Sequence, residues 1–410
     1  MKKVLPVLDF IIYWSIVLIP FAMAIAPAPM SIFMGFLIFA FVAKKIVKRE
    51  WLFAKTGISL PLVCFFLITC ISVFNSINIP DSVKGGVLRL VNYIFILFAV
   101  MEEVRDKKHV GRIIFAVALG LALTSIDGAW QVATGHGFIR KEYIPVLNIG
   151  LVRAISSFKD PNTFGIYLSA LAPLIIGVSL YYYRGKEKVF FILLSILSLA
   201  GIILTYSRPT LLAIYIVLFF FGIVRKNKKF VALLIAFTLL APFITPRSVK
   251  NWAKEVQYNP LRFMCNDDRI AVYVNSLNMI KSHPVIGVGT NAFMNSYKYY
   301  KQNPEYRNVL TLDGMKAHSI YLHFAGELGL VGIAIFFWLL FAIFREGKKI
   351  YCALQDHYLK IVSLSLIACL IAFLVNGLTE SSLSYSRVAL IFWYLAGFLL
   401  ALKKFSYAAK

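Results

Sequence analysis

Acidic residues are scarce in this 410-residue chain: 19 Asp and Glu stand against 43 Lys and Arg, a formal net charge of +24. Divalent cations such as Mg²⁺ want several oxygen ligands in one place, and the sequence offers no such carboxylate cluster. The adjacent pair Asp267-Asp268 has no further ligand set beside it and reads as a helix cap favouring the positive end of the dipole. Cysteine is also sparse, with five residues. Cys64, Cys70 and Cys369 lie in apolar runs, Cys352 is near a charged turn, and Cys265 is alone in the one long polar interval. No CxxC and no Cys/His cluster suggests zinc, and Cys265 has no intramolecular disulfide partner there. Internal repeats and low-complexity stretches are absent. So are a basic arm and a soluble nucleic-acid module, which excludes nucleic acid as a partner despite the charge.

What the chain has is apolar sequence: 60% hydrophobic residues and a mean hydropathy of +0.77. The apolar residues fall in blocks close to the length that spans a bilayer. Backbone groups in lipid must be paired within the segment, so these blocks are expected to be helices. Twelve are expected, near 8–26, 30–43, 57–74, 86–101, 112–128, 161–183, 188–205, 209–224, 229–245, 318–344, 358–378 and 384–402. The fold class is all-α: a polytopic membrane protein of about twelve transmembrane helices with a small helical periplasmic cap. Residues 1–245 carry spans one to nine, 246–317 form the cap, and 318–410 carry spans ten to twelve.

Charge orients these spans. With the N-terminus inside, the inner turns hold most of the basic residues, including Lys44, Lys45, Arg105, Lys107, Arg184, Arg225, Lys226, Arg345, Lys348 and Lys403. This is the positive-inside pattern, and it explains most of the excess charge together with anionic headgroups. It predicts that both termini are cytoplasmic and that the interval 246–317 lies outside, which in a bacterium means the periplasm. Met1 to Ala26 resembles a signal peptide, but eleven further spans follow, and an uncleaved first helix is the preferred reading.

The interval 246–317 is expected to be partly helical. Ile270, Val274, Leu277 and Ile280 make a helical stripe, His283-Pro284 stops it, and Gly287-Val288-Gly289 turns. A second helix is expected over 291–301, with Phe293, Tyr297 and Tyr300 near one side. Basic residues outnumber acidic ones two to one here, which favours an anionic ligand.

Three basic residues stand apart. Arg208 sits in the short turn Thr205-Tyr206-Ser207-Arg208-Pro209-Thr210, Arg269 starts the first cap helix, and His318 starts the tenth span. Arg holds phosphate through a planar fork of two charge-assisted bonds. His moves protons near neutral pH. Each alone has a plain structural reading, as headgroup anchor or interface residue; together they suffice to hold a diphosphate leaving group and deprotonate a hydroxyl. Glu327, nine residues after His318, falls on the opposite helix face, whereas His323 and Glu327 are spaced to pair along one face. Gly326, Gly329 and Gly332 offer a smooth side for close packing.

Four stretches in order resemble the O-antigen ligase and polymerase superfamily of bacterial membrane glycosyltransferases. They are Asp160-Pro161-Asn162-Thr163-Phe164; Thr205 through Ala213; Arg269 through His283-Pro284-Val285-Ile286-Gly287-Val288-Gly289; and His318-Ser319-Ile320-Tyr321-Leu322 running to Glu327-Leu328-Gly329-Leu330-Val331-Gly332. Ser319 departs from the Asn that many relatives have. The single dominant outer loop before span ten looks more like the O-antigen ligase than the polymerase, which often has two sizeable loops; the loop 128–160 keeps the polymerase open.

The resemblance implies transfer of a polysaccharide from undecaprenyl pyrophosphate to a sugar hydroxyl of lipid A-core. The polymerase would instead join lipid-linked repeats. His318 would be the general base or orient the acceptor hydroxyl, and Arg208 and Arg269 would bind the pyrophosphate. Arg387 would be an additional phosphate or acceptor contact, with Glu380 setting its position. No metal and no cofactor are expected, and direct displacement would invert the anomeric carbon. A lipid-linked glycan flippase is the reading from another class; against it, no half-to-half similarity is visible.

Overall fold

The computed structural model describes residues 4–140, 152–244, 254, 267–301 and 313–406. Cys265, Lys141, most of 246–266 and the side chains of Asp267 and Asp268 lie outside the described residues. All regular elements described are helices. They are α1 (Val4–Ile25), α2 (Pro27–Lys48), α3 (Ser59–Ser72), α4 (Ile79–Glu103), α5 (Lys107–Thr134), α6 (Pro161–Tyr181), α7 (Gly185–Leu204), α8 (Arg208–Val224) and α9 (Lys228–Ile244). The short cap elements are α10 (Asp267–Ser282) and α11 (Phe293–Ser296), and the chain ends with α12 (Ile320–Ala353), α13 (His357–Asn376) and α14 (Ser386–Ala401).

Each of the twelve expected segments falls on a helix. By length and composition nine of the described helices can cross a membrane, while α3 with its 3₁₀ extension and α8 are shorter apolar helices. The count of twelve crossings is therefore not reproduced. The second helix is longer than expected, 22 residues. Its last turns stay helical through Lys44 and Lys45 because carboxylates meet them: Lys44 Nζ lies 2.9 Å from Asp9 and 2.6 Å from Glu103, and Lys45 Nζ 2.6 Å from Glu102. Long stems buried in apolar surroundings with paired heads are the expected behaviour of lysine at a helix end.

The most enclosed helix is α6, buried along nearly its whole length. Small residues let neighbours approach it closely: a Cβ at Gly165 would meet Thr210 of α8, and one at Gly177 would meet Ser365 of α13. Such small-residue contacts replace the hydrophobic drive that lipid does not supply. Capping fixes where α6 begins, since the Asp160 side chain accepts from the Thr163 backbone N–H at 2.9 Å and Pro161 occupies the first turn.

The cap is joined to α12 by backbone. Gly329 interrupts α12 at φ 70°, ψ −172°, so the expected continuous span 318–344 is in fact two helical pieces. Four bonds stitch the turn 284–289 onto this break. The N–H groups of Val288 and Gly289 donate to the carbonyls of Gly326 and Glu327 at 2.9 and 3.0 Å, and those of Leu330 and Val331 donate to Pro284 and Val285 at 2.7 and 3.4 Å. Two of the four sequence motifs thus bind one another. A Cβ at Gly329 would stand 2.2 Å from the Val285 carbonyl oxygen. Non-helical backbone of this kind persists in membrane proteins where other protein satisfies it.

The cap's buried face differs from the expected stripe. Ala271, Val272, Asn275, Ser276 and Met279 are buried, whereas Leu277 is 47% exposed. The reason is close packing: Met279 and Phe293 press on Gly326 of α12, a contact that the smaller residues of α10 permit. Phe293 and Tyr297 are buried in this small core, with Tyr300 packed against it, as the sequence predicts.

Candidate active site

Glu380, in the turn between α13 and α14, is the centre of a polar cluster at the cap end of the bundle. It is 4% exposed. Oε1 accepts from the Arg269 guanidinium, and also from Asn162 Nδ2 at 2.8 Å. Oε2 lies 3.6 Å from His318 Nδ1, a charge contact slightly too long for a hydrogen bond. Burial pushes the Glu380 carboxyl up, but His318 and Arg269 together outweigh it and hold it below its ordinary value.

Each partner comes from a different motif. Asn162 is in the first turn of α6. Arg269 is in the first turn of α10, and Tyr273, one turn later on the same face, donates its hydroxyl to the His318 carbonyl at 3.1 Å. The cap helix therefore grips both Glu380 and His318. His318 takes φ 47°, a left-handed conformation in which His is enriched among non-glycine residues and which clusters at functional sites. The next residues are tied down: Ile320 N–H donates to the Gly377 carbonyl at 2.8 Å, and Ser319 caps α12.

Arg208 is the first residue of α8 and is half-buried. Its turn belongs to the same cluster. Arg153 Nε donates to the Thr205 carbonyl at 2.9 Å while its Nη2 reaches Asn162 Oδ1 at 3.3 Å. On the other flank Thr210 Oγ1 donates to Asn376 Oδ1 at 3.1 Å. Tyr206 holds φ 50°, a second left-handed residue in a site turn. Arg153 is thus a further cation of the site, outside the four sequence motifs; burial lowers its pKa, opposed by Asp160 and Glu380.

Arg387, expected as an additional phosphate or acceptor contact with Glu380 setting its position, lies where α1 meets the chain leading into α6. It is 8% exposed, donates to the Met23 carbonyl at 2.6 Å and the Ser157 carbonyl at 2.8 Å, and stacks 3.6 Å from the Phe158 ring centroid. It clamps the chain that leads into Asp160 and Asn162, and Glu380 turns instead to Arg269. Sequence spacing favours Arg387, which lies near Glu380 along the chain, whereas Arg269 reaches it across 111 residues.

Lys316, two residues before His318, lies outside the sequence motifs. Its Nζ lies 3.4 Å from the centroid of the Tyr385 ring. Burial, with Arg89 adding repulsion, lowers its pKa to about 8. His323 and Glu327 pair as their spacing predicts, Nε2 to Oε1 at 3.3 Å. No group of three His, Cys, Asp or Glu side chains that could hold a metal ion occurs among the described residues.

The cluster therefore offers a histidine whose Nδ1 faces a carboxylate, with Arg269 on that carboxylate and Arg153 on Asn162 beside it, where a protein cap meets an apolar bundle. Residues 193–337 match the family model for O-antigen ligase. The matched stretch contains Arg208, Arg269 and His318, while Asn162 and Glu380 join from outside it. No curated protein matches the chain. The helices fit a multi-pass membrane protein, and the match over residues 193–337 supports an O-antigen ligase family assignment and indicates an enzyme of membrane glycosyltransferase type.

Proposed function

We propose that this protein is an O-antigen ligase that moves a polysaccharide from undecaprenyl pyrophosphate to a sugar hydroxyl of lipid A-core, at the periplasmic face of a bacterial inner membrane, with both termini cytoplasmic. The observation that carries this reading is the shared carboxylate of Glu380, which brings His318 and Arg269 together. In the proposed step the acceptor hydroxyl oxygen attacks the anomeric carbon. The bond from that carbon to the pyrophosphate oxygen breaks, and its electron pair leaves with undecaprenyl pyrophosphate. The acceptor proton passes to His318. Glu380 orients the ring through Nδ1, which leaves Nε2 as the nitrogen that takes the proton. Arg269 and Arg208 stabilise the charge that develops on the leaving group. A single displacement of this kind inverts the anomeric carbon.

Fixed guanidinium groups supply the electrostatic role that a divalent ion would otherwise fill, so transfer is expected to persist in EDTA. Loss of transfer on chelation, restored by Mg²⁺, would contradict the arginine account. The polymerase is the second reading, favoured by the polar wall that residues 152–162 contribute to the cluster through Arg153 and Asn162. Purified protein given lipid-linked glycan with rough lipopolysaccharide and lipid-linked repeat in competition distinguishes them. Product on the first alone supports the ligase, and product on the second alone supports the polymerase.

A further inference from the structure

A second cleft lies beside the Glu380 cluster, between α3, α4, the cap turn and α12. Arg89, Tyr93, Ser384, His323 and Glu327 supply its polar lining, and Phe65 and Trp393 are among its apolar walls. Its near wall is a π-helical turn, Val83–Val87, a distortion frequent at functional sites. There Gly85 and Gly86 let the α4 backbone touch the cap: a Cβ on either would fall 2.3 Å from Asn291 or 2.4 Å from Thr290. Within the cleft His323 is 6% exposed, stacks on Phe293 with 4.9 Å between ring centroids, and has a buried Nδ1 without a hydrogen-bond partner.

Two cations stand near this cleft, with the Glu327 carboxylate in its lining. Arg89 lines the cleft, and Lys316 sits over Tyr385, the residue after Ser384 of the cleft wall. Arg89 is among the charges that lower the Lys316 pKa while Asp160 and Glu327 raise it, and neither cation is ion-paired to a carboxylate among the described residues. Like charges held together in a half-buried place disfavour the charged state, and an anion between them reverses the sign. Arg269 and His318, by contrast, already share Glu380. The cleft and the Glu380 cluster are therefore two neighbouring polar sites of different character.

We propose that the Arg89–Lys316 cleft binds a phosphate group of the second lipid-anchored substrate, the acceptor, and so presents its sugar to His318. This rests on the transferase reading above. The Arg89 fork and the Lys316 ammonium hold the phosphate, and the His323–Glu327 pair meets the sugar hydroxyls with its remaining ring nitrogen and carboxylate oxygen. The phosphate belongs either to the core of a lipopolysaccharide or to the diphosphate of a lipid-linked repeat.

The test uses the full-length protein in lipid nanodiscs. Binding is measured with rough lipopolysaccharide, its enzymatically dephosphorylated form and undecaprenyl pyrophosphate-linked repeat, and transfer kinetics are measured alongside. Arg89→Gln is expected to weaken binding of the phosphorylated acceptor at least tenfold and raise its KM similarly, leaving the donor KM within twofold. Arg89→Lys should recover part of the loss, and the dephosphorylated acceptor should bind wild type and Arg89→Gln equally. Lys316→Gln, whose side chain holds no backbone group, repeats the test should Arg89→Gln fail to fold. Loss confined to lipopolysaccharide, or to the lipid-linked repeat, identifies the source of the phosphate. Unchanged acceptor binding, an equal rise in donor KM, or a deficit that persists with the dephosphorylated acceptor overturns the proposal. Acceptor binding that depends on Arg89 without any transfer by wild type would overturn the transferase reading and leave this subsite standing.

Discussion

Arg269 on the cap and Glu380 in the bundle form an ion pair across 111 residues of sequence, and the same carboxylate faces His318. Cap position, base orientation and local charge are thereby coupled through one buried side chain. Glu380→Gln removes the charge and keeps the shape. Transfer should fall by about 10²-fold or more, the scale of a misoriented general base, with KM values moving much less than kcat. Steady-state kinetics of the purified variant check this, and an unchanged kcat would contradict the orienting role.

The same carboxylate gives a pH dependence of stability. Its pKa is lower in the folded protein than its ordinary value of 4.5. The stabilisation is therefore present above that value and is lost as pH falls through the lower folded one. Thermal midpoints measured from pH 6 down to pH 3 should drop more steeply for wild type than for Glu380→Gln.

Lys316 carries the opposite sign. Its pKa in the folded protein is about 8 against an ordinary 10.5, owing to burial and Arg89, with Asp160 and Glu327 pulling upward and Lys159 downward. Tyr385 lies beneath it. The unfolded chain holds more protons at this group between about pH 8 and 10.5, so its contribution to stability rises with pH across that window. Acceptor affinity should do the reverse and weaken as pH climbs through about 8. Lys316→Arg, charged throughout, should abolish that limb of the acceptor-KM profile.

Arg387 tests the difference between clamp and ligand. Arg387→Ala orphans the Met23 carbonyl and leaves the Ser157 carbonyl only its longer bond from Arg140, at a cost of roughly 1–3 kcal/mol for a buried group left unsatisfied. The thermal midpoint should fall clearly. Donor and acceptor KM in the surviving folded fraction should change little. A large KM change without loss of stability would restore Arg387 as a substrate contact.

Gly329→Ala addresses the stitch between cap and bundle. A residue with a Cβ at φ 70° costs about 1–3 kcal/mol in backbone strain, and here the Cβ would also strike Val285. The cap should loosen, read as faster proteolysis within 267–301, and transfer should fall with it.

Much of this was legible in the sequence. Twelve apolar blocks each fall on a helix, because hydropathy and backbone satisfaction act locally. His323 and Glu327 pair because four residues bring a helix round to the same face. Other features depend on contacts that local pattern does not encode. Helix α2 outruns its apolar block because Lys44 and Lys45 meet carboxylates from α1 and α4. The buried face of α10 is its small-residue face, since α12 approaches at Gly326. Gly329 reads as a packing glycine until the cap turn is seen bonded to it. Glu380 meets Asn162 across 218 residues, and near its own motif Arg387 was the only visible partner.

The central claim is that His318, oriented by Glu380 and flanked by Arg269, takes the proton of an acceptor hydroxyl. The most direct measurement is single-turnover transfer from lipid-linked glycan by purified wild type and His318→Ala, with donor binding measured on the same preparations. The account predicts that His318→Ala binds donor within a few-fold of wild type and transfers at least 10²-fold more slowly. Transfer at the wild-type rate by a folded, donor-binding His318→Ala protein would contradict it.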